Sequence, residues 1–142
     1  MSKGAVMKFI KSGQAKREPA TGELYVLGDI GAALLAGAPE TQQLDIYMVD
    51  FEAGARNRVH IHKNDQVLIG ASGQGIVADA SGENIMEPGD VAVIPAGHPH
   101  WHGATSDSDF SHIAISAPGD EITIVDEDDR GAWGALRKGE SS

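Results

Sequence analysis

The sequence predicts an all-β domain, a sandwich or barrel, and three observations carry that prediction. Short alternating or apolar runs recur at close spacing, separated by Gly and Pro turns. Glycine is abundant at 18 residues while aromatic residues make up only 5%, a balance that favours short strands and tight turns over long helices. The length of 142 residues suits one domain with a real hydrophobic core. The expected organisation is a single domain over residues 1–142. It has an N-terminal strand at 5–10, a barrel core over about 24–117 and an acidic C-terminal tail at 118–142.

Taken in order, Val6, Met7, Phe9 and Ile10 suit a first edge strand, and residues 11–23 are polar and turn-rich. Residues 24–27 read as a short strand stopped at Gly28-Asp29. Residues 30–36 suit either a helical turn or a buried strand. From 43 to 51 the period is two, with Tyr47, Val49 and Phe51 on one face as core and Met48 and Asp50 on the other. Residues 57–62 alternate again: Arg58, His60 and His62 point one way, and Asn57, Val59 and Ile61 the other. A strand at 66–71 ends in a hairpin-type loop at 72–75, followed by strands at 76–78 and near 84–86. Glu87-Pro88-Gly89-Asp90 is a strong turn, and 91–95 an apolar strand expected to be buried. Residues 98–102 alternate after Gly97, which sets Trp101 on the face opposite His100 and His102, packing outside the barrel. The strand at 110–116 places Phe110, His112 and Ala114 on one face. Ile122, Ile124 and Val125 suit one more strand. The acidic run at 126–129 reads as a solvated loop, and Trp133 and Leu136 as residues that pack on the barrel or on a partner subunit.

Composition narrows the function. A net charge of −10 argues against nucleic acid and anionic membrane surfaces as partners. The absence of cysteine excludes disulfides, thiolate metal sites and cysteine nucleophiles. Lysines interrupt the N-terminal apolar residues before a signal-peptide core can form, and no apolar run approaches the ~18 residues of a membrane span. A cytoplasmic location and a small-molecule substrate are the expectations.

The histidines point to chemistry. Five of the six lie between Gly54 and Gly103, and the sixth, His112, follows shortly after. On a strand, His60 and His62 share a face about 7 Å apart, so their imidazoles converge on one ion. Gln66 lies beyond a three-residue turn and folds back toward them, while His100 arrives from a distant strand. Three imidazoles and an amide oxygen hold a divalent cation and leave positions open for water or substrate. Parity sends His102 into the same cavity, as a further ligand or as a base beside the metal. His112 is either functional or a hydrogen-bonded core residue. His98, between Gly97 and Pro99, belongs at the mouth or in solvent, and Arg58 is either a surface residue or a guide for an anionic substrate.

The spacing Gly54, His60-Ile61-His62, Gln66, Gly73 resembles the first motif of the cupin superfamily, and Gly89, Pro95-Ala96-Gly97, His100 resembles the second. The resemblance implies a single-domain cupin double-stranded β-helix, a jelly-roll barrel, with the metal inside. Two departures are visible: Gln66 stands where a glutamate ligand is usual, and Ala104 stands near the position of a customary asparagine. A neutral amide leaves the ion's charge uncompensated, which strengthens its pull on alkoxide and hydroxide. A narrower resemblance covers about residues 38–116. Ala38-Pro39-Glu40, the turn at 51–56, His100-Trp101-His102-Gly103-Ala104 and His112-Ile113-Ala114-Ile115 look like manganese-dependent hydroxynitrile lyases and carboxymuconolactone decarboxylase-associated cupins.

That resemblance implies one divalent ion per chain on His60, His62, Gln66 and His100, with His102 and His112 as catalytic histidines. Manganese is the implied ion; iron, zinc and nickel suit the same donors. The reaction implied is a lyase cleavage of a cyanohydrin C–C bond, with a histidine taking the hydroxyl proton. A non-haem dioxygenase and a non-catalytic small-molecule-binding cupin are the alternatives. A homodimer or homotetramer is the expected assembly, with residues 1–10 as a candidate exchanged strand.

Overall fold

The structure is a computed structural model that describes residues 7–11 and 13–125. Among them run eleven strands: β1 (Glu18–Pro19), β2 (Ile30–Ala36), β3 (Asp45–Phe51), β4 (His60–His62), β5 (Gln66–Gly73), β6 (Gly75–Asp79), β7 (Gly82–Met86), β8 (Val91–Ile94), β9 (Trp101–Ala104), β10 (Phe110–Ser116) and β11 (Ile122–Ile124). One 3-10 turn, Glu23–Tyr25, interrupts the pattern. No helix among the described residues is long and apolar enough to cross a membrane.

All strand pairs are antiparallel. One sheet has the order β1-β2-β3-β10-β5-β8, a second β7-β6-β9, and a third β11-β4. The two small sheets are joined by bridges, Arg56 to Gly103 and His60 to His100. They thus form one discontinuous layer against the six-stranded sheet. Between the layers lies the main core, built on Phe51, Leu68 and Phe110, none more than 1% exposed. Full burial of each such side chain contributes roughly 1.5–3 kcal/mol. The alternation of β10 delivers the expected face: Phe110, His112 and Ala114 are all buried.

Several local expectations are corrected. The described part of the 5–10 segment, residues 7–10, is not a strand: Met7 and Phe9 are exposed and no strand pairs with them. Residues 5 and 6 lie outside the described residues, as do the acidic run at 126–129, Trp133 and Leu136. Residues 24–27 form the 3-10 turn and a single bridge from Leu27 to Arg56. The run lies between Gly22 and Gly28, both at positive φ, which leaves too little length for a ladder. Residues 30–36 resolve as strand β2, paired along β3.

The loop at 72–75 is not a hairpin. β5 pairs with β10 and β8, whereas β6 pairs with β7 and β9, so the chain changes sheets through Gln74. The flanking glycines are required by that crossing. A Cβ on Gly73, at φ 74°, would lie 1.9 Å from the Asp109 carbonyl oxygen, and one on Gly75 would lie 2.4 Å from the Phe110 ring. The apolar strand β8 is buried on one face only: it is the edge of the large sheet, with Ile94 in the core and Val91 and Val93 exposed. Trp101 faces away from His100 and His102 as expected, yet it is only 1% exposed. It packs with Val59, Ile76 and Ala78, and the Arg56 guanidinium lies 4.2 Å above its ring.

Candidate metal centre

Strand β4 and the bridge at His100 bring three histidines together. His60 and His100 exchange backbone hydrogen bonds, His60 N–H to the His100 carbonyl at 3.0 Å and His100 N–H to the His60 carbonyl at 3.1 Å. That register sets the His60 and His100 rings 4.3 Å apart, centre to centre, with the His62 ring 5.0 Å from His60. One ligand nitrogen from each of His60, His62 and His100 lies within 4.8 Å of the others, and all three residues are buried. An ion with bonds of about 2.0–2.1 Å gathers donors to within about 4.2 Å of one another, somewhat inside this span.

The hydrogen bonds fix which nitrogens are free. His60 Nδ1 donates to the Arg58 carbonyl at 2.6 Å, His100 Nδ1 to the His98 carbonyl at 2.9 Å, and His62 Nδ1 to the Asp120 carboxylate at 2.6 Å. A carbonyl only accepts, so the proton of His60 and of His100 sits on Nδ1 and the Nε2 lone pair is left for another partner. His62 Nε2, His100 Nε2 and Gln66 Oε1 are buried with no hydrogen-bond partner among the described residues. Three orphaned acceptors converging from three elements are costly without a cation, because each forfeits its hydration for nothing. The cluster can therefore hold a divalent ion, and its donors carry no formal charge.

A cavity of about 400 Å³ opens beside this cluster. His60, His62, Gln66, His102 and His112 border it, and its remaining wall is largely apolar, with Leu24, Tyr25, Val49, Ala114 and Ile122. His100 is not among the lining residues: it stands behind His60 and borders a second hollow of about 480 Å³ on the side of β8. His102 and His112 form a pair, His112 Nε2 to His102 Nδ1 at 2.9 Å, packed against the ring of Phe51. His98 lies outside the site, bonded through Nε2 to Asp79 at 2.8 Å. Arg58 contributes its carbonyl to His60 while its guanidinium reaches the Glu23 carbonyl.

Burial sets the charge state of these imidazoles. It holds His60 and His102 well below the ordinary histidine range, and the neighbouring imidazoles push in the same direction. It lowers His100 and His112 to about 4. All four are thus neutral near pH 7, as ligands and bases must be. The sign of the stability effect follows. Unfolded histidines take up protons near pH 6.5 while the folded ones resist until about 4, so the unfolded chain binds more protons in that window. The metal-free protein is expected to lose stability as pH falls through it. Urea unfolding midpoints measured across the window check this; a flat profile contradicts it.

Two residues at the site escape the sequence reading. Asn57 was placed opposite the ligands by strand parity, but β4 begins only at His60, so the alternation does not extend back to it. Asn57 is 1% exposed, borders the cavity, accepts from the His102 backbone N–H at 2.9 Å and sets its amide 3.3 Å from both His102 ring nitrogens. Asp120 fell in the region read as tail. The only local signal for it was the alternating Ile122-Thr123-Ile124 that follows.

Comparison with known proteins agrees with this architecture. The cupin domain family matches residues 47–116, the span from β3 to β10. A cupin-like protein of Thermotoga maritima superposes with a TM-score of 0.70 at 29% identity, covering 83% of this chain and 95% of that one. The chain belongs to the cupin superfamily. The polyketide cyclase RemF of Streptomyces resistomycificus superposes with a TM-score of 0.73 at 15% identity, over 87% of this chain and 89% of that one, and shares the fold. The chain is also similar to the (R)-mandelonitrile lyase of Granulicella tundricola, 38% identical over 84 residues. That alignment covers 58% of this chain and 57% of the relative's length. Asp120 lies beyond the stretch that the cupin domain family matches.

Proposed function

We propose that this cupin is a metal-dependent lyase of the hydroxynitrile type, cleaving a cyanohydrin into a carbonyl compound and cyanide. The observation that carries the reading is one largely apolar cavity bordered both by three uncharged donors, His60, His62 and Gln66, and by a neutral histidine pair. The similarity to a mandelonitrile lyase supports the same chemistry.

His60, His62, His100 and Gln66 would hold the ion, for which manganese is proposed. A divalent ion there supplies Lewis acidity that favours the ionised form of a substrate hydroxyl. The rest falls to the chain's own residues. Asn57 holds the His102 backbone and sets its amide against the ring, and the reading places the His112 proton on Nε2, donating to His102 Nδ1. That assignment leaves the lone pair on His112 Nδ1, which has no partner among the described residues. His112 takes the hydroxyl proton; the oxygen lone pair closes the carbonyl; the C–CN electron pair leaves with cyanide, which recovers the proton from His112. No oxidant or reductant enters the balance. The apolar wall suits the organic part of an aromatic or branched cyanohydrin.

The test is to incubate the manganese-loaded protein with an aromatic cyanohydrin such as mandelonitrile and to follow aldehyde and cyanide together. Equal release of the two, lost on chelation and restored by manganese, is the expected result. Turnover that survives complete metal removal sinks the proposal.

A further inference from the structure

The three clustered imidazoles are oriented in two different ways. His60 and His100 each donate Nδ1–H to the carbonyl of the residue two places earlier, Arg58 and His98. The equivalent carbonyl for His62 is that of His60, and it is already accepting from the His100 backbone N–H. His62 instead takes an acceptor from outside its own strand, 58 residues away in the chain: Asp120 Oδ2 at 2.6 Å. The other carboxylate oxygen, Oδ1, is held by the Asn64 backbone N–H at 3.0 Å and the Asn64 side chain at 3.3 Å.

The fold builds this contact deliberately. Among the described residues β11 pairs only with β4, in a register that sets Ile122 opposite His62 and Ile124 opposite His60. Flanking backbone bonds, Lys63 N–H to the Glu121 carbonyl at 2.8 Å and Val125 N–H to the Val59 carbonyl at 3.0 Å, lock that register. The Asp120 side chain is 13% exposed and that of His62 is 5% exposed, so little water screens the pair. Three neutral imidazoles form the cluster that could hold an ion, and Asp120 is a carboxylate bonded to one of them.

We propose that Asp120 is a positioning residue of the metal centre: it orients His62, makes its Nε2 a stronger donor, and returns one negative charge that the Gln66-for-carboxylate ligand set lacks. This rests on reading His60, His62 and His100 as metal ligands. The C-terminal strand thereby becomes part of the site, because its pairing with β4 delivers Asp120.

The test is a manganese titration of the full chain and of Asp120→Asn, read by the electron paramagnetic resonance of free ion, with the cobalt(II)-substituted forms compared by ligand-field absorption. Asp120→Asn keeps the size of the side chain and removes its charge; Asp120→Ala serves as the second variant. The expected result is about ten- to a hundredfold weaker manganese binding and a displaced cobalt absorption band, with the circular dichroism of the metal-free proteins unchanged. Parental affinity and an unmoved band in either folded variant overturn the role of Asp120 alone. A parent chain that binds no divalent ion overturns both this role and the metal-centre reading.

Discussion

Replacing His100 by alanine is expected to strip the protein of its divalent ion and to abolish cyanide release. His100 is 1% exposed, its Nε2 has no hydrogen-bond partner among the described residues, and its backbone is held in place by the two bonds to His60 whatever side chain it carries. The substitution thus removes a donor and leaves the bridge that aligns His60 intact. Loss of a direct ligand exceeds the about ten- to a hundredfold loss typical of an outer partner, so retention after dialysis should fall below detection at micromolar protein. Elemental analysis of the dialysed variant beside the parent reads this directly. His100 does not border the substrate cavity, which makes it the cleanest ligand to remove: an effect on turnover comes through the ion and not through lost contact with substrate. Full metal content in His100→Ala would remove His100 from the ligand set.

Replacing His112 by alanine is expected to act in the opposite sense, sparing the ion and slowing the chemistry. His112 sits on β10 between Val49 of β3 and Gly70 of β5, and its ring meets His102, Phe51 and Phe110 rather than the metal cluster. Loss of a general base lowers kcat by about 10²–10⁴-fold. Metal content should match the parent. Initial rates of cyanide release, with metal analysis of the same sample, separate the two variants: one fails for want of ion, the other for want of base. A His112→Ala protein with parental kcat would show that the proton goes elsewhere. His112→Asn, which keeps a buried polar group in the core, guards against a rate loss caused by collapse of the cavity.

The parts of this site that the sequence reveals are those governed by local rules. Strand periodicity of two set His60 and His62 on one side and Phe110, His112 and Ala114 on another, and the structure keeps both groupings. The parts that it conceals depend on pairing across long separations. Nothing near Asp120 announces that β11 lies on β4, so a site residue read as tail. Asn57 is concealed for a different reason: it lies three residues before β4, where strand parity does not hold. Val91 and Val93 show a third limit, since an apolar run carries no mark of whether its strand is central or, as here, at the edge. The glycines around Gln74 signalled a turn correctly but not its kind. Their lack of Cβ serves a passage over Phe110 and the Asp109 carbonyl between two sheets.

The most direct test of the central claim is a single reaction followed by two electrodes. The protein is purified from its native host without added metal, its metal content is determined, and it is mixed with an aromatic cyanohydrin while cyanide and dissolved oxygen are recorded together. A centre that works as a Lewis acid beside a histidine base predicts one divalent ion per chain, cyanide released in step with aldehyde, and a flat oxygen trace. Oxygen consumed in proportion to product, or cyanide released by protein that carries no metal, would contradict it.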